Sequence, residues 1–275
     1  METIFIRLQN ATVRYIGAPL ERPAALDGVT LDVVRGSWIA VVGRNGGGKS
    51  TLSKAIAGIA PLSEGIRTVE GGGSVHMVLQ HPETQLLGET VEEELSLCAP
   101  SDRFASDPEQ LRAQWRGLLR ELGLAVSLDT PVKRLSGGQK QLLNIAGCIA
   151  AGADCVVFDE STAMLDPASR QTVLDAAAAL HRAGRTIVWS THRMEEVVRA
   201  GRVIAMERGR IAFNGTPERF FYGEDGGAAP CDALGFEPPY IVRAARALME
   251  RGYPLGVARP LLPESLAEAV AACRS

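Results

Sequence analysis

A chain of 275 residues, 46% of them apolar, is long enough for one large domain or a domain with an appendage, and can bury a sizeable core. With 29 basic residues against 32 acidic ones the formal net charge is −3, so the basic footprint of a nucleic-acid binder is missing. Cys98, Cys148, Cys155, Cys231 and Cys273 are scattered, with no CxxC pair or Cys/His cluster, which argues against a disulfide framework or a zinc site and suits a reducing cytoplasm.

The first residues, from Met1 to Arg7, lack the charged-then-apolar pattern of a secretory signal. Ile4, Ile6 and Leu8 alternate with polar residues, and the strand texture continues over 13–15. Residues 17–25, with Pro19 and Pro23, read as a loop. Val29, Leu31 and Val33 alternate again, and 39–42 is a short continuous apolar run of the kind buried on both faces of a sheet. A glycine-rich turn leads into Leu52, Ile56 and Ile59 at helical spacing. Residues 75–79 form another short apolar strand, and 91–126 have helical texture, with Leu111, Trp115, Leu118, Leu119 and Leu122 on one face.

A helix over 137–151 precedes two more buried strands, 155–158 and 186–189, with a helix from about 167 to 180 between them that opens on Pro167. This alternation predicts a mostly parallel sheet covered by helices. Residues 203–206 and 211–213 read as a closing hairpin, and Thr216-Pro-Glu as a helix start. A Gly/Ala linker is expected over 223–232. Beyond it come a helix with Ile241, Ala244, Ala245 and Leu248 on its apolar face and another starting at Pro263 with Leu266, Ala269, Val270 and Cys273. No window holds the ~18 continuous apolar residues of a membrane-spanning helix, so any membrane role is expected to need a spanning partner.

Gly43, Arg44, Asn45, Gly46, Gly47, Gly48, Lys49 and Ser50 fit G-x-x-x-x-G-K-[ST] after a strand and before a helix. The glycines let backbone N–H groups converge on phosphate oxygens, and the helix N-terminus adds donors and partial positive charge. Lys49 suits the β- and γ-phosphates of ATP, and Ser50 supplies a hydroxyl for Mg²⁺. Thr51 extends the same helix start. The strand 155–158 runs into Asp159 and Glu160: the first suits a Mg²⁺ ligand, and the second a general base that polarises water. The segment 135–139, Leu-Ser-Gly-Gly-Gln, places a second glycine pair at a helix start. One triphosphate does not need two cradles in one chain, so Ser136, Gly137, Gly138 and Gln139 are expected to serve the nucleotide held by another copy.

The LSGGQ string, upstream of the Asp-Glu strand, resembles the signature of ABC ATPases, and the resemblance covers essentially residues 1–222. It implies an α/β fold of the P-loop NTPase class: a mostly parallel core sheet with N-terminal antiparallel strands, a helical subdomain at about 91–151, and here a small C-terminal helical extension over 233–275. It implies that Gln80 is the Q-loop glutamine touching Mg²⁺, that 165–167 is the D-loop, that His192 is the switch histidine, and that Tyr15 stacks on adenine. It also implies that two cassettes dock head to tail around ATP. The family often has Ser where Gly47 stands, Arg where Leu142 stands, and Gly-Leu where Ala163-Met164 stands.

Residues 80–92, Gln-His-Pro-Glu-Thr-Gln-Leu-Leu-Gly-Glu-Thr-Val-Glu, resemble the Q-loop stretch of energy-coupling factor ATPases, including those of cobalt and vitamin importers. That resemblance implies a second cassette, an integral membrane scaffold and a small substrate-binding membrane subunit as partners, no nucleic acid, and a peripheral place on the cytoplasmic face of the membrane. Leu86, Leu87, Glu92, Glu93 and Glu94 are expected to line the scaffold's docking groove. The rival readings are a non-transport ABC protein acting on ribosomes or nucleic acid, and a regulatory cassette that binds ATP without hydrolysing it.

Overall fold

The computed structural model describes residues 3–15, 23–100, 107–224, 227–253, 255 and 259–272. Cys273 and most of the loop expected over 17–25 lie outside the described residues. In chain order the elements are β1 (Ile4–Val13), β2 (Leu26–Val34), β3 (Trp38–Gly43), α1 (Lys49–Ala57), β4 (Glu64–Val69), β5 (Val75–Val78), α2 (Val91–Cys98), α3 (Pro108–Glu121), α4 (Gly137–Ala150), β6 (Cys155–Asp159), α5 (Pro167–Arg182), β7 (Thr186–Ser190), α6 (Met194–Val197), β8 (Arg202–Glu207), β9 (Arg210–Gly215), α7 (Pro217–Tyr222), α8 (Pro230–Ala233), α9 (Tyr240–Glu250) and α10 (Pro263–Ala272). None of the described helices is long and apolar enough to cross a membrane.

Two sheets result. The larger has the order β5-β6-β7-β3-β8-β9, parallel except for β9, which closes it as a hairpin with β8. The smaller is antiparallel, ordered β2-β1-β4. Every residue of β3, β6 and β7 is buried, as continuous apolar runs require of strands covered on both faces. The period of two then sorts each strand between two cores. Trp38, Ala40, Val42, Val156, Phe158, Ile187, Trp189, Val203 and Ala205 face the core shared with α2 to α5. Ile39, Val41, Cys155, Val157, Val188, Ile204 and Met206 face the other, filled by Leu52 and Ile56 of α1 and by Phe5, Ile6 and Leu8 of β1. Helix α1 is thus held between the two sheets, which fixes its N-terminus at the carboxyl edge of β3.

Several expectations need correction. β1 ends at Val13, so Tyr15 lies beyond the strand. β4 was not anticipated: it is an edge strand with a largely exposed side-chain pattern, and no apolar run marks it. Ile59 is 59% exposed and follows the C-cap Gly58, so it belongs to the turn after α1 rather than to its buried face. The position of Leu142 is 4% exposed, inside the core, where an arginine's charge would have no water. The stretch read as a linker ends in α8, whose Cys231 is buried in the same core as Phe220 and Phe221. In α9 the buried residues are Val242 and Ala245, so the apolar face is centred on Val242, which the expected face omitted. Arg246 fastens this helix by donating to Asp232 at 2.8 Å and to the Phe221 carbonyl.

Candidate nucleotide-binding and catalytic site

The glycine turn after β3 is shaped by what surrounds it. Gly48, the N-cap of α1, has φ +106, a conformation that L side chains rarely adopt, and a Cβ there would meet the Ala25 carbonyl oxygen at 2.9 Å. With no side chain at this cap, the first N–H groups of α1 are left for a ligand. Arg44, Asn45 and Gly46 are exposed at the tip. Arg44 also lies against Gly235, where an added Cβ would collide with its guanidinium, so the C-terminal segment reaches the cradle.

Lys49 is 4% exposed and its Nζ lies 3.1 Å from Glu160 Oε1. His192 Nδ1 lies 3.6 Å from the other oxygen, Oε2. The Glu160 carboxylate therefore sits between the cradle's ammonium and the imidazole that follows β7. Glu160 has φ +48, an uncommon conformation for a side-chain-bearing residue, and its N–H is held by the Ser190 carbonyl at 3.0 Å. Strain of this kind, about 1–3 kcal/mol, persists where neighbours over-determine the geometry.

Asp159 ends β6 and is 7% exposed. Burial pushes its carboxyl up from the ordinary range, opposed by a hydrogen bond from Ser50. Its Oδ1 is buried without a hydrogen-bond partner among the described residues. An orphaned carboxylate oxygen beside a serine hydroxyl is a hard-oxygen donor set that fits Mg²⁺. Tyr15, 51% exposed, has its hydroxyl 3.2 Å from Thr51 Oγ1, so its ring stands beside the first turn of α1. Gln80 is half-buried just after β5.

The second glycine pair is built differently. Ser136 caps α4 in a reciprocal box: its N–H donates to Gln139 Oε1 at 2.9 Å, and its Oγ accepts from the Gln139 N–H at 3.3 Å. Both polar side chains are thereby engaged within the chain. Gly138 is buried, and a Cβ there would meet Ser169 Oγ of α5 at 2.6 Å. Among the described residues, no hydrogen bond or ion pair joins Ser136, Gly137, Gly138 or Gln139 to the Lys49 cluster. The structure thus brings one group of the expected site residues together at the sheet edge and leaves the other apart on α4.

Several polar residues whose structural role the sequence did not reveal hold these parts in place. Gln85 accepts from the Leu79 N–H and donates to the Met77 carbonyl, both at 2.7 Å, fixing the chain on either side of Gln80. Gln141, fully buried, donates at 2.8 Å to the carbonyls of Leu79 and Ser161 and so ties α4 to both the 79–80 turn and the segment after Glu160. Glu94, expected to face a partner, is 4% exposed and accepts from the N–H groups of Leu87 and Gly88 at 2.7 Å. The only signal for Gln141 was its place just after the signature string. Next to this frame lies a groove of about 640 Å³ lined by Glu83, Leu86, Glu89, Val132, Lys133 and Lys140. Lys140 pairs with Glu83 at 2.7 Å across it and holds the Glu83 carboxyl below its ordinary range.

Comparison with known proteins identifies the family and the fold. The family described as ABC transporter matches residues 26–163. The energy-coupling factor transporter ATP-binding protein EcfA of Methanosarcina acetivorans is 35% identical over 287 aligned residues, covering 98% of each chain. Among solved structures, the cbiO1 protein of Clostridium perfringens, part of the ABC transporter complex cbiONQ, superimposes with TM-score 0.71 at 24% identity, covering 91% of this chain and 97% of that one. A dimeric ATP-binding cassette in a post-hydrolysis state with ADP and Pi gives 0.67 at 22% identity, covering 77% and 98%. This chain belongs to the ABC transporter family, as an ATP-binding and ATP-hydrolysing subunit of the energy-coupling factor type.

Proposed function

We propose that this chain is the motor of an energy-coupling factor importer for a vitamin or a transition-metal ion. The observation that carries the reading is the Glu160 carboxylate held between Lys49 and His192, with the orphaned Asp159 oxygen next to it. Tyr15 stacks on the adenine. The N–H groups of 43–51 and the Lys49 ammonium take the phosphates. Mg²⁺, held by Ser50, Asp159 and Gln80, neutralises phosphate charge when bound. Triphosphate draws the Lys49 ammonium from Glu160, which frees that carboxylate as a base. Glu160 then accepts a proton from water as the water oxygen bonds to the γ-phosphorus and the bond to the bridging oxygen of ADP breaks. His192 hydrogen-bonds the γ-phosphate and orients the attack.

Ser136, Gly137, Gly138 and Gln139 close on the triphosphate of a second cassette, so hydrolysis removes contacts across the pair and lets it open. Residues 1–222 form the cassette, with the helical subdomain at about 91–151, and the extension from 233 adds contact between the two. The 640 Å³ groove mixes apolar and charged groups, and it takes a segment of the integral scaffold, which in turn holds the substrate-binding membrane subunit. The protein then works at the cytoplasmic face of the membrane. Purification of the tagged full chain from detergent-solubilised membranes tests the reading: a second cassette and two membrane subunits should come with it. Recovery of ribosomes or nucleic acid without membrane subunits would replace it.

A further inference from the structure

We infer that Glu196 is a positioning residue for hydrolysis, which locks the loop after Glu160 to the turn that carries His192. The inference rests on the roles proposed above for those two residues. Glu196 lies on the short helix α6 and is 2% exposed. A carboxylate at that depth is costly unless its oxygens are satisfied. Here Oε1 accepts from the Thr162 hydroxyl at 2.9 Å, and Oε2 accepts from Trp189 Nε1 at 2.9 Å and from the Thr191 hydroxyl at 2.6 Å.

The two threonines are what make the arrangement more than local packing. Thr162 belongs to the loop that Glu160 opens, and Thr191 immediately precedes His192. Both are 2% exposed. Thr191 Oγ1 also accepts from the Arg193 N–H at 3.0 Å, so the turn is held on both sides of the histidine. The other edge of the same frame is the Glu160 N–H bond to the Ser190 carbonyl. Glu160 and His192 thus approach each other inside a ring closed by backbone on one side and by the Glu196 carboxylate on the other. A shift of either loop must carry the other with it. The neighbouring Glu195 is exposed and forms none of these bonds, which makes it the natural control.

The test uses the full-length chain and measures kcat for ATP, nucleotide Kd by fluorescence titration, and Tm. Thr162→Val keeps the shape but cuts the arm to the Glu160 loop, and kcat should fall about tenfold to a hundredfold, the usual scale for displacing a reacting group by about 1 Å. Kd should stay unchanged. Thr162→Ser, which keeps the hydroxyl, should restore kcat, and Glu196→Ala should lose at least as much as Thr162→Val. Glu195→Ala should match the natural chain. Folded Thr162→Val with normal kcat, an equal loss in Thr162→Ser, or a parallel loss of Kd would overturn the inference while leaving Glu160 as the base. Full turnover in Glu160→Gln would instead remove the reading on which it depends.

Discussion

The helix starts at Lys49 and at Gly137 share a glycine-rich approach and little else. The first is sunk between two sheets, carries a buried ammonium, and gathers Asp159, Glu160 and His192 around it. The second begins at an exposed residue, has no acidic or basic residue of its own before Lys140, and spends both of its polar side chains on capping. A glycine pair at a helix start therefore has two uses in one fold. At α1 it makes room for phosphate among charged groups. At α4 it offers only N–H donors and close packing on α5, and under the proposed function it joins a phosphate site only when a second cassette brings the phosphate to it.

The largest effect should come from the charged end of this contrast. Glu160→Gln keeps shape and hydrogen-bonding capacity but cannot take a proton, so kcat for ATP should fall by about 10²–10⁴, the usual worth of a general base, while ATP still binds. Single-turnover hydrolysis alongside a binding titration separates the two quantities. Unchanged turnover would mean that the sheet-edge cluster is not where water is activated. Lys49→Ala should act on the other quantity. It removes hydrogen bonds from a cation to phosphate, each worth about 1.5–3 kcal/mol, and leaves Glu160 without its ion-pair partner. Nucleotide titration should show affinity reduced beyond the measurable range, and full affinity would detach the cradle from the ligand.

A pair of substitutions sharpens the second helix start. Gly138→Ala places a methyl group 2.6 Å from the Cβ and Oγ of Ser169, and overpacking of this kind costs about 1–3 kcal/mol. Gly137→Ala meets only Leu165 Cδ2, at an ordinary 3.7 Å. Thermal unfolding should therefore separate them, with Tm lowered for Gly138→Ala and nearly unchanged for Gly137→Ala. Equal stability would mean that α4 and α5 can move apart, and that Gly138 is required only by a ligand.

The same contrast explains what could be read in the sequence. Strands β3, β6 and β7 announce themselves because both faces are covered, and the cradle does so because phosphate chemistry demands those residue types at that spacing. β4 does not: as a mostly exposed edge strand it needs no apolar residues, and its place is set by register with β1, Ile6 opposite Val69 and Gln9 opposite Ile66. Gln141 and Glu196 were silent, and Glu94 was assigned to a partner, for a related reason. A buried polar side chain bonded to the backbone or hydroxyl of a distant segment looks, along the chain, like any polar residue on a helix surface. The partner that justifies its burial is supplied by the fold, as with Gln141 and the Leu79 carbonyl.

The smallest effect concerns Asp159, and it has opposite signs for stability and for ligand binding. Burial raises this carboxyl above its unfolded value, so between those two values the folded chain holds a proton that the unfolded chain has released. Stability in the absence of nucleotide therefore falls as pH rises through that window, and above it the charged side chain carries the full penalty. Asp159→Asn removes the charge and adds an amide that can donate, so its Tm without ligand should exceed that of the natural chain at neutral pH, with the difference shrinking as the solution is acidified. Added Mg²⁺ and ATP should reverse the order, because the orphaned Oδ1 is then the group that the ion requires. A variant no more stable without ligand, or one stabilised by Mg²⁺ and ATP as much as the natural chain, would show that the carboxylate is settled by its own surroundings and that the sheet edge, like the start of α4, waits on groups from outside the chain.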